Sequence, residues 1–174
     1  MNRVAVIGSG GAGKSTFARQ LGDRTGLPVI HLDGLFWGTN WAPMPKPEWI
    51  ELERQLIAGE RWIMDGNYGS TQDLRLPRAD TVIFLDIPRL VCLWSVTRRW
   101  AIHRNRARPD LPRNRDKLEL EFLRWIWTYP KLKRPEVLAR LAALPSSTRV
   151  VRLQSRRAMR QFLAGIPTPE AVAA

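Results

Sequence analysis

Five short runs of β-branched and aliphatic residues recur along the chain: Arg3 to Ile7, Pro28 to Leu32, Arg61 to Met64, Thr81 to Leu85, and Thr148 to Leu153. Each ends near a turn residue or a carboxylate, and helix-like stretches separate most of them. After the first run, Phe17 and Leu21 stand one helical turn apart. Alternation of this kind predicts an α/β fold, a parallel sheet with flanking helices. Ligands of such sheets bind beyond the carboxyl ends of the strands. Two segments leave the alternation. Residues 34–59 open with a loop rich in glycine, proline and tryptophan. A helix follows, with Pro47 at its start and Trp49, Ile50, Leu52, Leu56 and Ile57 at helical spacing. The other segment, about residues 100–129, starts with a basic, Pro-containing, loop-like stretch. It then reads as a helix through Leu118, Leu120, Phe122, Leu123, Trp125, Ile126 and Trp127, bounded by Pro130.

Between the first strand and the first helix, Gly8 to Ser15 read G-S-G-G-A-G-K-S, a complete G-x-x-x-x-G-K-[ST] phosphate loop. Gly8, Gly10, Gly11 and Gly13 let the backbone curl without Cβ clashes. The loop amides, that of Ala12 among them, then point inward at a helix N-terminus, where the dipole favours an anion. Lys14 is expected to reach the β- and γ-phosphates of a nucleoside triphosphate, Ser15 to ligate Mg²⁺, and Thr16 to lie near the α-phosphate.

The 174 residues suffice for one domain with a sizeable core. The single cysteine, Cys92, excludes an internal disulfide and reads as buried packing. No run approaches the roughly 20 apolar residues needed to cross a bilayer. The chain opens on its first strand, so no signal peptide and a cytoplasmic location are expected. The formal net charge of +12 fits polyanionic ligands, nucleotides or nucleic acid. Much of it is concentrated at Arg98, Arg99, Arg104, Arg106, Arg108, Arg113, Arg115 and Lys117, against Asp110 and Asp116.

A phosphate loop, an insertion after the second strand and a basic insertion after the fourth resemble the layout of nucleoside-monophosphate kinases. Closer still, His31-Leu32-Asp33, Trp62 to Tyr68, Arg78-Ala79-Asp80 and Phe84 to Arg89 are similar to the bacterial "DNA topology modulation protein" family, FlaR-like and related to adenylate kinases. That resemblance covers about residues 1–165 and implies an ATP-binding kinase core. Arg98-Arg99 fall where the wider family places lid-hinge arginines. After Asp65-Gly66, adenylate kinases continue Phe-Pro-Arg, whereas this chain has Asn67-Tyr68-Gly69. The arginine that would hold an acceptor phosphate is absent there, with Arg75 and Arg78 as nearby substitutes.

Among candidate residues, Asp65 is the choice for the carboxylate that holds Mg²⁺ through water, ahead of Asp86, which reads as a helix cap. Asp33 faces an acceptor or merely begins a turn before Gly34. His31 reads as a satisfied structural histidine. Trp37 and Trp41 either stack on an acceptor ring or pack their segment onto the core. Trp94, Trp125 and Trp127 read as core. The arginines from 98 to 115 form a lid over ATP, a nucleic-acid surface or a solvated face. Arg99 is the strongest lid candidate. Arg152 and Ser155, at the last strand and turn, are candidate nucleotide contacts.

The expected whole is a single phosphate-loop domain of three α/β/α layers over residues 1–174. Its five-stranded parallel sheet has order 2-3-1-4-5, with an acceptor-binding insertion at 34–59 and a basic lid at 98–129. The expected activity is ATP- and Mg²⁺-dependent phosphoryl transfer to a small-molecule or nucleotide acceptor, with Lys14, Asp33, Asp65 and Arg99 as its catalytic set. The alternative is an ATP-binding protein that acts on nucleic acid.

Overall fold

The computed structural model describes residues 1–103, 107–108, 111–115 and 118–167, with the backbone alone for 103, 107–108 and 111–115. Of the basic cluster, Arg104, Arg106, Asp110, Asp116 and Lys117 lie outside the described residues, as do Pro109, the side chains of Arg108, Arg113 and Arg115, and the chain from 168 onward.

Strands β1 (Arg3–Gly8), β2 (Val29–His31), β3 (Trp62–Asp65), β4 (Thr81–Leu85) and β7 (Arg149–Leu153) form one sheet in the order β2-β3-β1-β4-β7, all parallel. This is the expected sheet, with β7 as its fifth strand. The central strands β1 and β4 are buried on both faces, which explains their unbroken apolar runs. Alternate residues feed two cores. Val4, Val6, Ile63, Ile83 and Leu85 pack with α1 (Lys14–Thr25), α5 (Arg89–His103), α6 (Leu120–Leu132) and α8 (Arg156–Ala164). Ala5, Ile7, Met64, Val82 and Phe84 pack with α3 (Lys46–Ile57), the 3₁₀ turn Leu76–Arg78 and α7 (Arg134–Ala142). Helices thus cover both faces of the sheet. No described helix is long and apolar enough to cross a membrane.

Several local expectations need correction. The loop after β2 begins as a helix, α2 (Leu32–Phe36), followed by a 3₁₀ turn at Thr39–Trp41. Leu32 is fully buried and Asp33 lies in the first turn, where the helix dipole favours a carboxylate. Asp33 is therefore a helix residue, not a turn residue before Gly34. The basic stretch contains an antiparallel hairpin, β5 (Ala107–Arg108) with β6 (Leu111–Arg115), in place of the expected loop. The backbone of β6 packs on α2 and on the 39–41 turn. Pro130 lies inside α6, because the Lys133 N–H still reaches the Tyr129 carbonyl at 2.9 Å and closes the last turn. Trp94 and Trp127 are not core. They are 68% and 47% exposed, and Trp127 carries the Arg89 guanidinium 3.9 Å above its ring. Trp125 is half-buried against the core.

Arg75, on α4 (Gln72–Arg75), is fully buried. Its guanidinium pairs with Glu53 of α3, also fully buried, and donates to the Gly66 carbonyl at 3.1 Å. It therefore ties α3 to the loop after β3 and does not stand in for an acceptor-phosphate arginine. At the far edge, Asp86 takes Arg134 Nε at 2.9 Å and Arg152 Nε at 2.8 Å. Burial alone would raise the Asp86 pKa, but the bonds and charges of the two arginines outweigh it and hold the carboxyl below its ordinary value.

Two outcomes follow. Arg75→Ala or Glu53→Ala leaves one buried charge unpaired and costs about 3–5 kcal/mol in denaturant melts. The double variant Arg75→Met with Glu53→Leu removes both charges together and is expected to cost less than either single change. Asp86 has a depressed folded pKa, so its stabilisation is complete above the unfolded value near 3.9 and is lost as pH falls through the folded one. The stability gap between wild type and Asp86→Asn, measured by urea titration, should narrow as pH is lowered from about 5 to below about 3. A gap independent of pH would contradict the ion-pair assignment.

Candidate functional site

The carboxyl ends of β1, β3 and β2 open onto one cleft of about 1160 Å³. The phosphate loop forms its floor. The loop passes so close to α5 that a Cβ on Gly11, at φ +75°, would lie 2.3 Å from the Cys92 carbonyl oxygen. On the other side, a Cβ on Gly10 would lie 2.5 Å from Phe122 of α6, which stacks on Trp125 at 6.0 Å between centroids. The loop is thus gripped between the helices on either side of the basic hairpin.

Lys14 Nζ donates to the Ser9 carbonyl at 3.2 Å, folded back across the loop. Lys14, Ser15 and Thr16 line the cleft from the first turn of α1, with Gly10, Gly11 and Gly13 beside them. Gly8 and Ala12 complete the loop and are buried. The Ser9 hydroxyl is buried with no partner among the described residues. A positive helix end, one lysine and an unpartnered hydroxyl together fit a phosphate chain.

The register Val6↔Asp65 places Asp65 beside the strand that leads into the loop, and His31↔Asp65 places His31 on its other side. His31 Nδ1 donates to Asp65 Oδ1 at 2.5 Å. The histidine is satisfied, as expected, and its partner is the very carboxylate singled out for magnesium. Asp86 is already neutralised by two arginines. Among the described residues no cluster of three or more histidine, cysteine or acidic side chains could hold a metal. Ser15 and Asp65 are oxygen donors that suit Mg²⁺, an ion that keeps waters and phosphates for most of its shell.

Opposite the loop, the cleft wall comes from α2, the 39–41 turn and the loop after β3. Asp33, Trp37, Asn40, Trp41, Asn67 and Tyr68 line it. Tyr68 donates from its phenol to Asp33 Oδ1 at 2.6 Å and accepts a hydrogen bond from the Trp37 side chain. Burial, then the Asp33 charge, push the Tyr68 pKa far up, so the phenol stays a donor. Trp37 and Trp41 meet at 5.7 Å and 65°, and Phe36 packs on Trp37, Trp49 and Tyr68. Trp37 and Trp41 thus pack on aromatic neighbours of their own segment and also line the cleft. Asn40, Trp41 and Tyr68 have φ of 58°, 62° and 21°.

Arg98 and Arg99 face the cleft from α5, together with Trp94 and Ser95. Arg152 is engaged by Asp86. Ser155 caps α8, accepting from the Ala158 N–H at 3.1 Å. The residue that sequence reading missed there is Arg156. It donates to the carbonyls of Ala12 at 2.8 Å and Gly11 at 3.1 Å and to Ser95 Oγ at 3.0 Å. Tyr68 was also missed as a partner of Asp33. Neither has a local signature, because each acts across the fold.

No family model and no curated protein sequence matches the chain. Solved structures do. A sugar kinase from Janibacter sp. HTCC2649, in an unliganded structure, aligns over 100% of this chain and 99% of its own, with TM-score 0.56 and 19% identity. Shikimate kinase from Acinetobacter baumannii, in complex with shikimate, aligns over 95% and 90%, with TM-score 0.58 and 18% identity. A gluconokinase from Sinorhizobium meliloti 1021 aligns over 95% and 91%, with TM-score 0.54 and 16% identity. The chain shares the three-layer α/β/α phosphate-loop fold of these small-molecule kinases.

Proposed function

We propose that the chain is an ATP- and Mg²⁺-dependent kinase that transfers the terminal phosphoryl group to a hydroxyl of a small-molecule acceptor. The observation that carries this reading is a single cleft with the phosphate loop on one side and Asp33, braced by Tyr68, on the other. The kinase names of the structural neighbours and the sequence resemblance support it. The nucleic-acid alternative drew on the basic cluster, and Arg98 and Arg99 of that cluster face this cleft. It has no observation of its own among the described residues.

In this reading residues 34–59 bind the acceptor and 98–129 close as a lid. When bound, ATP and Mg²⁺ supply the phosphoryl group and a positive charge beside it. Main-chain amides of the loop and Lys14 hold the phosphate oxygens, with Gly8 to Thr16 as the nucleotide set. Ser15 and Asp65, the latter oriented by His31, would hold the metal. Arg98 and Arg99 balance charge that develops on the transferring group. Arg152 is held by Asp86, and neither residue is among those that line the cleft. Asp33 orients the acceptor hydroxyl and takes its proton as the new oxygen–phosphorus bond forms and the bond to the leaving ADP breaks. Tyr68 keeps Asp33 aimed at that hydroxyl.

The deciding experiment is ADP release from ATP and Mg²⁺ across a panel of metabolite acceptors. One compound should raise the rate well above the acceptor-free level. Lys14→Ala should lower kcat/KM by about 10²–10³-fold. Asp33→Asn should lower kcat by about 10²–10⁴-fold. Tyr68→Phe should lower kcat by about tenfold while leaving KM for ATP unchanged, as expected for a positioning hydrogen bond to a charged group. Full turnover in Asp33→Asn would remove Asp33 from the mechanism.

A further inference from the structure

One exposed aromatic side chain of the cleft takes no part in the proposed transfer. Trp94, on the second turn of α5, lines the cleft and is 68% exposed. The other rings there are already engaged. Trp37, Trp41 and Tyr68 belong to the wall around Asp33, where the acceptor binds in the proposed reaction. Phe122 and Trp125 stack on each other, 9° from parallel, and press on Gly10.

The sheet order β2-β3-β1-β4-β7 fixes the direction in which a nucleotide runs. Asp33 follows β2 and Asp65 ends β3, both on one side of the phosphate loop. A terminal phosphate delivered to Asp33 leaves the rest of the nucleotide to extend the other way, past the ends of β4 and β7. Those strands lead into α5 and α8. Trp94 and Ser95 come from α5, Arg156 comes from α8, and all three line the cleft.

The turn that carries Trp94 is also fastened to the loop. Gly11 lies against the Cys92 carbonyl and Val96. Arg156 joins the Gly11 and Ala12 carbonyls to Ser95 Oγ. The indole therefore stands at a set distance from the phosphate oxygens, with Arg98 one turn further along the same lining face. Stacking on such a ring needs only an open face, since every base has a π-face of its own.

We infer that Trp94 is the stacking platform for the nucleobase of the bound nucleotide. The inference rests on the kinase reading above and assigns the far end of its nucleotide site.

The test compares ATP with inorganic tripolyphosphate, each with Mg²⁺, by calorimetry on the full chain. Trp94→Ala should raise the Kd for ATP about 5–100-fold. The Kd for tripolyphosphate should stay as in wild type, because that ligand has no base. Trp94→Phe should recover part of the loss for ATP. Indole emission supplies a second readout: ATP should quench wild-type fluorescence more than tripolyphosphate does, and Trp94→Phe should lose the difference. An unchanged Kd for ATP in Trp94→Ala overturns the inference, as does an equal loss for both ligands. A full ATP quench in Trp94→Phe overturns it as well, even if tripolyphosphate binds too weakly for calorimetry. These results leave the kinase reading intact. If wild type binds neither ligand, the kinase reading itself fails.

Discussion

The register of three parallel strands is the constraint on which the cleft depends. Pairing Val6 with Asp65, and Asp65 with His31, aligns the ends of β1, β3 and β2. The phosphate loop, the candidate metal carboxylate and its histidine therefore arrive at one edge together. A slip of one residue in β3 would turn Asp65 to the opposite face and put Met64 or Gly66 in its place. Such a slip would also exchange Ile63 and Met64 between separate cores on opposite sides of the sheet, and the fit of each core to its own side chains resists it. Stability and site geometry are thus one requirement.

The same economy separates the two strand-end carboxylates. Asp86 follows β4 and is saturated by Arg134 from α7 and Arg152 from β7, so it fastens the sheet edge. Asp65 has a histidine for its partner. Arg156 plays a matching part for the loop, whose Ala12 and Gly11 carbonyls it collects, while the Ala12 N–H turns back to the Ser9 carbonyl at 3.2 Å. Because Arg156 also holds Ser95 of α5, and Phe122 of α6 presses on Gly10, movement of the hairpin between α5 and α6 would be felt by the loop. In the proposed reaction this couples closure over the nucleotide to the grip on its phosphates.

Much of this is legible in the chain. The phosphate loop declares itself because its chemistry is contiguous, and the strand order follows from the alternation together with the family resemblance. Asp65 ranks above Asp86 from its expected place beside the first strand. What stays hidden depends on contacts across long separations. Nothing near Arg75 reveals that Glu53, 22 residues earlier, will bury with it. Nothing near Tyr68 points to Asp33, and 144 residues separate Arg156 from Ala12. The tryptophans at 94 and 127 mislead for another reason. Their helical spacing is that of a core, but periodicity cannot tell an apolar face turned to a cleft or to an arginine from one turned inward. The turn alternative for Asp33 comes from Asp-Gly, which ordinarily makes a turn, and burial of Leu32 overrides that local preference in favour of a helix.

The strain in the aromatic wall explains how a site of this kind stays open and ready. Asn40, Trp41 and Tyr68 all hold positive φ, at about 1–3 kcal/mol each for non-glycine residues. Such a cost persists only where surroundings exclude the relaxed alternative. Here Trp49, fully buried, packs on Phe36 and Tyr68 and donates its indole N–H to Thr71 Oγ1 at 3.3 Å. Thr71 in turn donates to the Tyr68 carbonyl at 3.2 Å, and Arg75 holds the Gly66 carbonyl just upstream of Tyr68. The buried framework beneath the wall therefore sustains a conformation that local sterics resist. In the proposed reaction the Asp33 carboxylate is thereby held in place before an acceptor arrives, which leaves less ordering for binding to impose. A flexible, glycine-rich loop at the same place would be easier to fold and worse at holding a hydroxyl in line for attack.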